Sequence, residues 1–554
     1  MTCHEETKSS FKIEDNVLIG EEEKIESNCS NLAELFLNAF DAKPDLIGQV
    51  DAETERKVTF RQMKMDSVKC ALWLKKKGVE PGDIIVLSTH NHLNTYIPFL
   101  ASLYIGATTS LWNENISKKN MERALKQSTP KVIFINIDKA VLVYRQALLA
   151  RISTKIVVFD DQIDSEFKLV GEDCKTIARK FYPFSLILDQ EFKETEMSGF
   201  TCTTSEKKIS DTVLLMYSSG STGVPKAVEI PQTMLLCPSL VQSFSVIPGD
   251  IVLWFGSLSW ITCMALTIRS ILSYATAIKC SKFDTDKICK AIEKYRVSWM
   301  LIETGLCHQL VKSAAFTKHD MSSLRQVLFT GSTIRRDVHE NIGKALPDSA
   351  MTAYGMTETG LICYQTGTKK IGSSGSVCKN IYLKIVDLQT KKPLGPNTHG
   401  EIYIQCPYMM NGYYKEPKIT KSVFDESGWF CTGDIGYYDE DGYIFIVDRV
   451  KNLIKYRGHH VSSVDIESLL GSHPAVSDSA VIAVPHHFDG QHPIAFVTKL
   501  LNAKVTEQEL QDLIATNMED QNKLRGGVVF IEKIPRLVNG KIDRMALREM
   551  VKQE

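Results

Sequence analysis

The stretch Asp211–Ile230, DTVLLMYSSGSTGVPKAVEI, constrains this chain more than any other. Thr212–Tyr217 is an apolar, partly β-branched run of strand length. It empties into Ser218, Ser219, Gly220, Ser221, Thr222 and Gly223, followed by Pro225 and Lys226. Glycines tolerate positive φ and let backbone N–H groups converge on an anion, while hydroxyls and an ammonium add donors. The pattern therefore reads as a phosphate cradle. It is not a Walker loop, because Lys226 lies between Pro225 and Ala227 instead of following Gly and preceding Ser or Thr. It is a poor dinucleotide fingerprint, because that motif opens a helix at the loop and Pro225 fits such a start badly. A flexible linker is the bland alternative, but a polar linker rarely interrupts a buried strand and ends in Pro-Lys.

Length and composition set the frame. A chain of 554 residues exceeds one core and suggests roughly three or four structural units. Hydrophobic content of 44% beside 24% charged residues is ordinary for a globular protein. A net charge of −1 supplies no global field for nucleic acid, so an anion must be held by local geometry. The 14 cysteines include no CxxC pair and fit reduced thiols. The N-terminus lacks an apolar signal core, and the most apolar stretch, Leu258–Leu272, contains Arg269. The chain ends Lys-Gln-Glu, without the peroxisomal Ser-Lys-Leu address, so a cytoplasmic protein with no transmembrane segment is expected.

Residues 1–28 read as a polar, loosely ordered tail. From Val58 onward, strands and helices alternate. Thr59 and Gln62 have capping-box spacing ahead of a helix carrying Phe60, Met63, Val68 and Ala71, and Ile84–Ser88 and Lys155–Phe159 read as buried strands. Asp284 caps a later helix, and strands near 297–302, 324–329 and 350–354 follow, several ending in Gly, Ser or Thr. Such alternation predicts an α/β class with largely parallel sheets, whose strand ends bind ligands. Past Ile371 short strands predict a small β-rich unit. After Arg449 helices near 462–470 and 506–517, the latter with the box Thr506…Glu509, predict a compact α+β tail domain.

Four motifs together, YSSGSTGVPKAV at 217–228, TAYGMTETG at 352–360, GWFCTGDIGYYDEDGYIFIVDRVKNLIKYRG at 428–458 and NGKIDR at 539–544, resemble the adenylate-forming superfamily. KLRGGVVFIEKIP at 523–535 and Pro231 are most similar to its branch of acyl-CoA ligases, coumarate–CoA ligases and beetle luciferases. The resemblance implies a large N-terminal domain of α/β subdomains with a β-rich unit over 29–448. It also implies a small mobile α+β C-terminal domain over 449–554, hinged near Lys451. It implies activation of a small-molecule carboxylic acid, fatty or aryl, by ATP and Mg²⁺, then transfer to coenzyme A.

The same resemblance implies roles. The loop 218–226 would hold the leaving pyrophosphate, Thr357 the α-phosphate, and Glu358 the Mg²⁺, whose hard charge prefers carboxylate oxygen. Tyr354 and Gly355 would meet adenine, as would Gly331 and Ser332 of the 331–333 turn. Asp434 would accept the ribose hydroxyls, with Arg449 adding a cation. Lys541 would bridge the substrate carboxylate and α-phosphate in the first half-reaction, and Lys455, with Gly458, would face the site in the second. Trp260 and Thr330 would shape the acyl pocket. Several of these residues have plainer alternatives. Tyr354 could be a core tyrosine, Asp434 a turn-fixing aspartate, Thr357-Glu358 a helix-capping pair, and Lys451 and Lys455 a solvated helix face. Several positions depart from the family. Ala227 replaces a glycine, Ser259-Trp260 a pair of histidines, Phe329–Ser332 a small-residue turn, Ser463 a proline, and His459-His460 a Phe-Gln-like pair. A luciferase and a non-catalytic nucleotide- or acyl-binding protein are the rivals. The histidines 459, 460, 486, 487 and 492 are not expected to bind metal, since neighbours on a strand face opposite ways and no Cys or carboxylate cluster completes a tetrahedral set.

Overall fold

The computed structural model describes residues 11–24, 31–159, 180–203, 208–218, 225–237, 245–280, 282–332, 334–366, 370–500, 503–536 and 542–553. Two large sheets form its centre. One runs, in spatial order, Gly412–Tyr413, Lys226–Pro231, Thr212–Ser218, Thr108–Leu111, Ile84–Ser88, Val132–Asn136, Lys155–Phe159 and Tyr182–Pro183. The other is nine-stranded, and its middle is the parallel set Ala350–Met356, Gln326–Thr330, Trp299–Glu303, Ile251–Trp254, Thr276–Lys279 and Ile47–Asp51. Strands such as Ile84–Ser88 are buried along their whole length, as parallel strands covered by helices must be.

Helices pack on these sheets through apolar stripes. Phe60–Lys76 starts where the Thr59 hydroxyl accepts the Gln62 N–H, and it buries Phe60, Met63, Val68 and Leu74. Gln62 closes no capping box; its amide donates to Asp66 instead. The apolar stretch near 258–272 is the helix Ile261–Leu272, buried inside the core. No described helix is long and apolar enough to cross a membrane.

The β-rich unit is a six-stranded sheet, and here one expectation is corrected. Residues 11–24 are not a loose tail. Phe11–Glu14 and Val17–Gly20 form a hairpin whose inner strand pairs with Tyr382–Val386, and Leu18 is fully buried beside that strand. Asp15 and Asn16 make the turn with φ of 48° and 62°, a conformation that short polar side chains tolerate. The burial of Leu18 comes from a partner strand more than 350 residues away, which local composition does not reveal.

The C-terminal unit is a five-stranded sheet built on the long hairpin Val476–His486 and Gly490–Lys499, covered by Ser463–Gly471 and Glu507–Asn517. The Thr506–Glu509 capping box is present in both directions. A buried polar chain ties this unit to the preceding strand. Ser463 Oγ donates to Asp448 Oδ2 at 2.6 Å, and Arg544 reaches both Ser463 Oγ at 3.2 Å and Glu467 Oε1 at 2.8 Å. The serine that stands in place of a proline thus joins the domain junction to the C-terminal helix Arg544–Gln553.

Candidate active site

The strand Thr212–Ser218 returns as the antiparallel strand Lys226–Pro231, with Ser218 opposite Lys226. The segment read from the sequence as a phosphate cradle therefore links two antiparallel neighbouring strands. No helix opens after it, which agrees with the exclusion of the dinucleotide fingerprint. Ser219, Gly220, Ser221, Thr222 and Gly223 lie outside the described residues, as do Thr333 and Lys541. Ser218 Oγ is buried and has no hydrogen-bond partner among the described residues. An orphaned hydroxyl at the loop mouth is costly unless a ligand or the loop satisfies it.

Lys226 leads to a residue that motif reading missed. Its Nζ stands 5.0 Å from the centroid of the Tyr413 ring, and Tyr413 sits opposite Val228 on the edge of the same sheet. The Tyr413 hydroxyl in turn donates to Glu358 Oε1 at 3.0 Å. Burial, then the neighbouring Glu358 carboxylate, pushes the Tyr413 phenol well above its ordinary value, so it remains a donor. Glu358 is only 6% exposed, and no described cation pairs with it. A buried carboxylate without a cation is unfavourable by itself and suits a divalent ion or a phosphate-bound one. Thr357 and Glu358 occupy the turn between Ala350–Met356 and Gly360–Thr366, so they do not cap a helix.

Four residues before Glu358 the same strand end carries Tyr354. Its hydroxyl donates to Asp434 Oδ2 at 2.7 Å, while Arg449 Nε pairs with Asp434 Oδ1 at 3.0 Å. Asp434 lies on Phe430–Tyr438, directly opposite Arg449 on Ile444–Arg449, and is 4% exposed. It is a strand residue held by two donors, and a turn-fixing role fails. Burial first and the Asp434 charge second raise the Tyr354 phenol well above its ordinary value. Gly355 has a packing reason of its own, since a Cβ there would lie 2.4 Å from the Gly360 carbonyl oxygen.

The 331–332 turn follows Gln326–Thr330, and Gly331 adopts φ of 99°. Ser332 Oγ donates to Glu303 Oε1 at 3.0 Å, and Glu303 also accepts the Gly305 and Leu306 N–H groups. Glu303 is a second residue that the motifs did not flag. Thr330 directs its hydroxyl to the Ala353 carbonyl at 2.8 Å, joining adjacent strands. Trp260 precedes the helix Ile261–Leu272 and packs near Gly256, where a Cβ would come 3.6 Å from Trp260 Cδ1.

Lys451 and Lys455 do not share a helix. Lys451 is in the short 3-10 turn Val450–Asn452, and Lys455 is exposed in the middle of the strand Ile454–Tyr456. The backbone N–H of Lys455 donates to Gln491 Oε1 at 2.8 Å. Gly458, at φ of 83°, ends the turn that follows.

Two α/β subdomains, a β-rich unit and a small α+β domain thus place the buried Glu358 in a turn between strands, the half-buried Ser332 just past a strand end, and the buried Asp434 opposite the strand-end Arg449. Sequence comparison identifies the family. Residues 36–414 match the AMP-binding enzyme family and residues 465–541 the AMP-binding enzyme C-terminal domain. A luciferin 4-monooxygenase of Nipponoluciola cruciata is 32% identical over 496 residues, covering 87% of each chain. A 4-coumarate–CoA ligase of Arabidopsis thaliana is 29% identical over 517 residues, covering 90% of this chain and 87% of that one. The structure of the luciferase-like enzyme from the nonluminescent mealworm Zophobas morio superposes with a TM-score of 0.68 at 26% identity, covering 78% of this chain and 99% of that one. The chain belongs to the AMP-binding enzyme family, the ATP-using adenylate-forming superfamily, in its insect luciferase-like branch.

Proposed function

We propose that this protein is an ATP-dependent carboxylate–CoA ligase for a mainly apolar acid, fatty or aryl. The observation that carries the proposal is the chain Lys226–Tyr413–Glu358, which joins the loop lysine to a buried carboxylate that pairs with no cation among the described residues. In the first half-reaction a substrate carboxylate oxygen attacks the α-phosphorus of ATP and pyrophosphate departs. The transition state spreads negative charge over the phosphoryl oxygens, so fixed donors lower the barrier most. Lys226, Ser218 and the 219–223 loop hold the departing phosphates, and Thr357 meets the α-phosphate. Glu358 would hold Mg²⁺, which neutralises phosphate charge when bound. Tyr354, Gly355, Gly331 and Ser332 bind adenine, while Asp434 and Arg449 bind the ribose side. Lys541 orients the carboxylate.

In the second half-reaction the C-terminal domain turns about Lys451 and brings Lys455 to the site. A thiol sulfur then attacks the acyl carbon, its proton leaves, and the carbon–oxygen bond to AMP breaks. Trp260 and Thr330 shape the acyl pocket.

The test is a panel of carboxylic acids with ATP, Mg²⁺ and coenzyme A, scored for AMP, pyrophosphate and thioester. Formation of all three with one acid class is expected. No product from any acid would sink the ligase reading in favour of a binding protein. The luciferin 4-monooxygenase similarity supports a second reading, a luciferase. Reproducible light with luciferin and oxygen would favour it, but Trp260 in place of a histidine argues for dark chemistry.

A further inference from the structure

The C-terminal hairpin gathers histidines that the sequence leaves apart. His486 ends Val476–His486 opposite Gly490, and His492 stands opposite Val484 on the return strand. The two are therefore diagonal neighbours on one face. Their rings lie parallel, with centroids 3.9 Å apart and planes at 19°. The intervening turn supplies the third donor that local reading lacked. Asp489 Oδ2 is 2.7 Å from His492 Nε2 and 3.2 Å from His486 Nδ1. One ligand atom from each of the three residues lies within 4.8 Å of the others.

We propose that His486, Asp489 and His492 form a binding site for a divalent transition-metal ion of borderline softness, zinc foremost. Tetrahedral zinc with bonds of about 2.0–2.1 Å sets its donors about 3.3 Å apart. The contacts of Asp489 Oδ2 to His492 Nε2 at 2.7 Å and to His486 Nδ1 at 3.2 Å therefore need to open by about half an ångström or less. The two ring nitrogens, within 4.8 Å of each other, are brought to that spacing by reorienting one ring. Co-facial imidazoles point their lone pairs in parallel, so one ring must tilt. His486 can do so, because its side chain is 32% exposed and its Nδ1 gives up only the 3.2 Å contact from the Asp489 N–H. Asp489 is 8% exposed, and its other oxygen is fixed by Arg457 Nε at 2.5 Å, an outer contact that orients a ligating carboxylate. Two neutral imidazoles and one carboxylate leave a fourth position for water and favour zinc, copper, nickel or cobalt over magnesium or calcium. The site is also connected to the proposed chemistry. The Asp489 carbonyl accepts the Arg457 N–H at 2.9 Å and Gly490 pairs with Tyr456, so the turn is laced to the strand that bears Lys455.

The test uses full-length, untagged, chelator-stripped protein titrated with Zn²⁺ alone against a chromophoric chelator, and separately with Co²⁺. One equivalent should bind at micromolar affinity or tighter, with visible Co²⁺ bands of tetrahedral type and no competition from Mg²⁺. His492→Ala, and independently the more exposed His486→Ala, should weaken binding by about tenfold or more. Circular dichroism of the metal-free variants reports whether they fold. Absence of binding by the native chain, equal binding by both folded variants, or a Co²⁺–thiolate band that places the ion on cysteine would each overturn the assignment.

Discussion

Lys279 offers a prediction whose size follows from the structure. It ends the strand Thr276–Lys279 beside Trp254, is 2% exposed, and donates to Asn91 Oδ1 at 3.1 Å with its ammonium 4.1 Å from the Trp254 ring centroid. No carboxylate among the described residues pairs with it. Burial pushes this lysine from 10.5 down to about 7. At about 1.4 kcal/mol per pKa unit, holding the charge inside costs about 4–5 kcal/mol, as an upper bound. The sign follows from proton binding. Between pH 7 and 10.5 the unfolded chain holds a proton that the folded one has released, so stability rises with pH across that window. Below pH 7 both states are charged and the full cost is present. Lys279→Met removes the cost but leaves Asn91 Oδ1 without its donor, a loss of about 1–3 kcal/mol. The variant should therefore be more stable than the native chain by about 1–3 kcal/mol near neutrality. Its advantage should shrink by about 1.4 kcal/mol per pH unit and vanish or reverse toward about pH 10. Urea unfolding of both proteins at several pH values measures the difference. A difference that does not change with pH would refute the buried-charge reasoning.

Other outcomes follow from the site. Tyr354→Phe deletes the donor to Asp434 Oδ2 and should cost about 1–3 kcal/mol in urea unfolding, while raising the KM for ATP. Glu358→Gln keeps an acceptor for Tyr413 but removes the charge. It should slow adenylation by about a hundredfold or more, with no recovery at high Mg²⁺ in a single-turnover assay. Lys541→Ala should cripple adenylation yet spare thioester formation from supplied acyl-adenylate, and Lys455→Ala should do the reverse. Equal loss of both steps in both variants would reject rotation of the C-terminal domain.

What was legible in the sequence was local. Ile84–Ser88 and Lys155–Phe159 form strands with the expected bounds, Asp284 and Thr506 cap helices as predicted, and Thr59 caps its helix without the reciprocal bond from Gln62. Each depends on neighbours a few residues away. The features that escaped depend on distant pairing. Tyr413 reaches Glu358 because the edge strand Gly412–Tyr413 is zipped to Lys226–Pro231, and Glu303 meets Ser332 because two parallel strands end side by side. The 11–20 hairpin looked too polar to bury until a distant strand supplied its partner. Asp489 joins two histidines only because a turn folds them onto one face. Motif order identified the Tyr354, Glu358 and Asp434 segments, but not the Tyr354–Asp434–Arg449 bonding that links them.

Adenylation with departure of pyrophosphate is the central claim, and exchange of labelled pyrophosphate into ATP tests it most directly. Exchange should require a carboxylic acid and Mg²⁺, proceed without coenzyme A, and be lost in Lys541→Ala. Cleavage of ATP to ADP and phosphate, or no exchange with any acid, would contradict it.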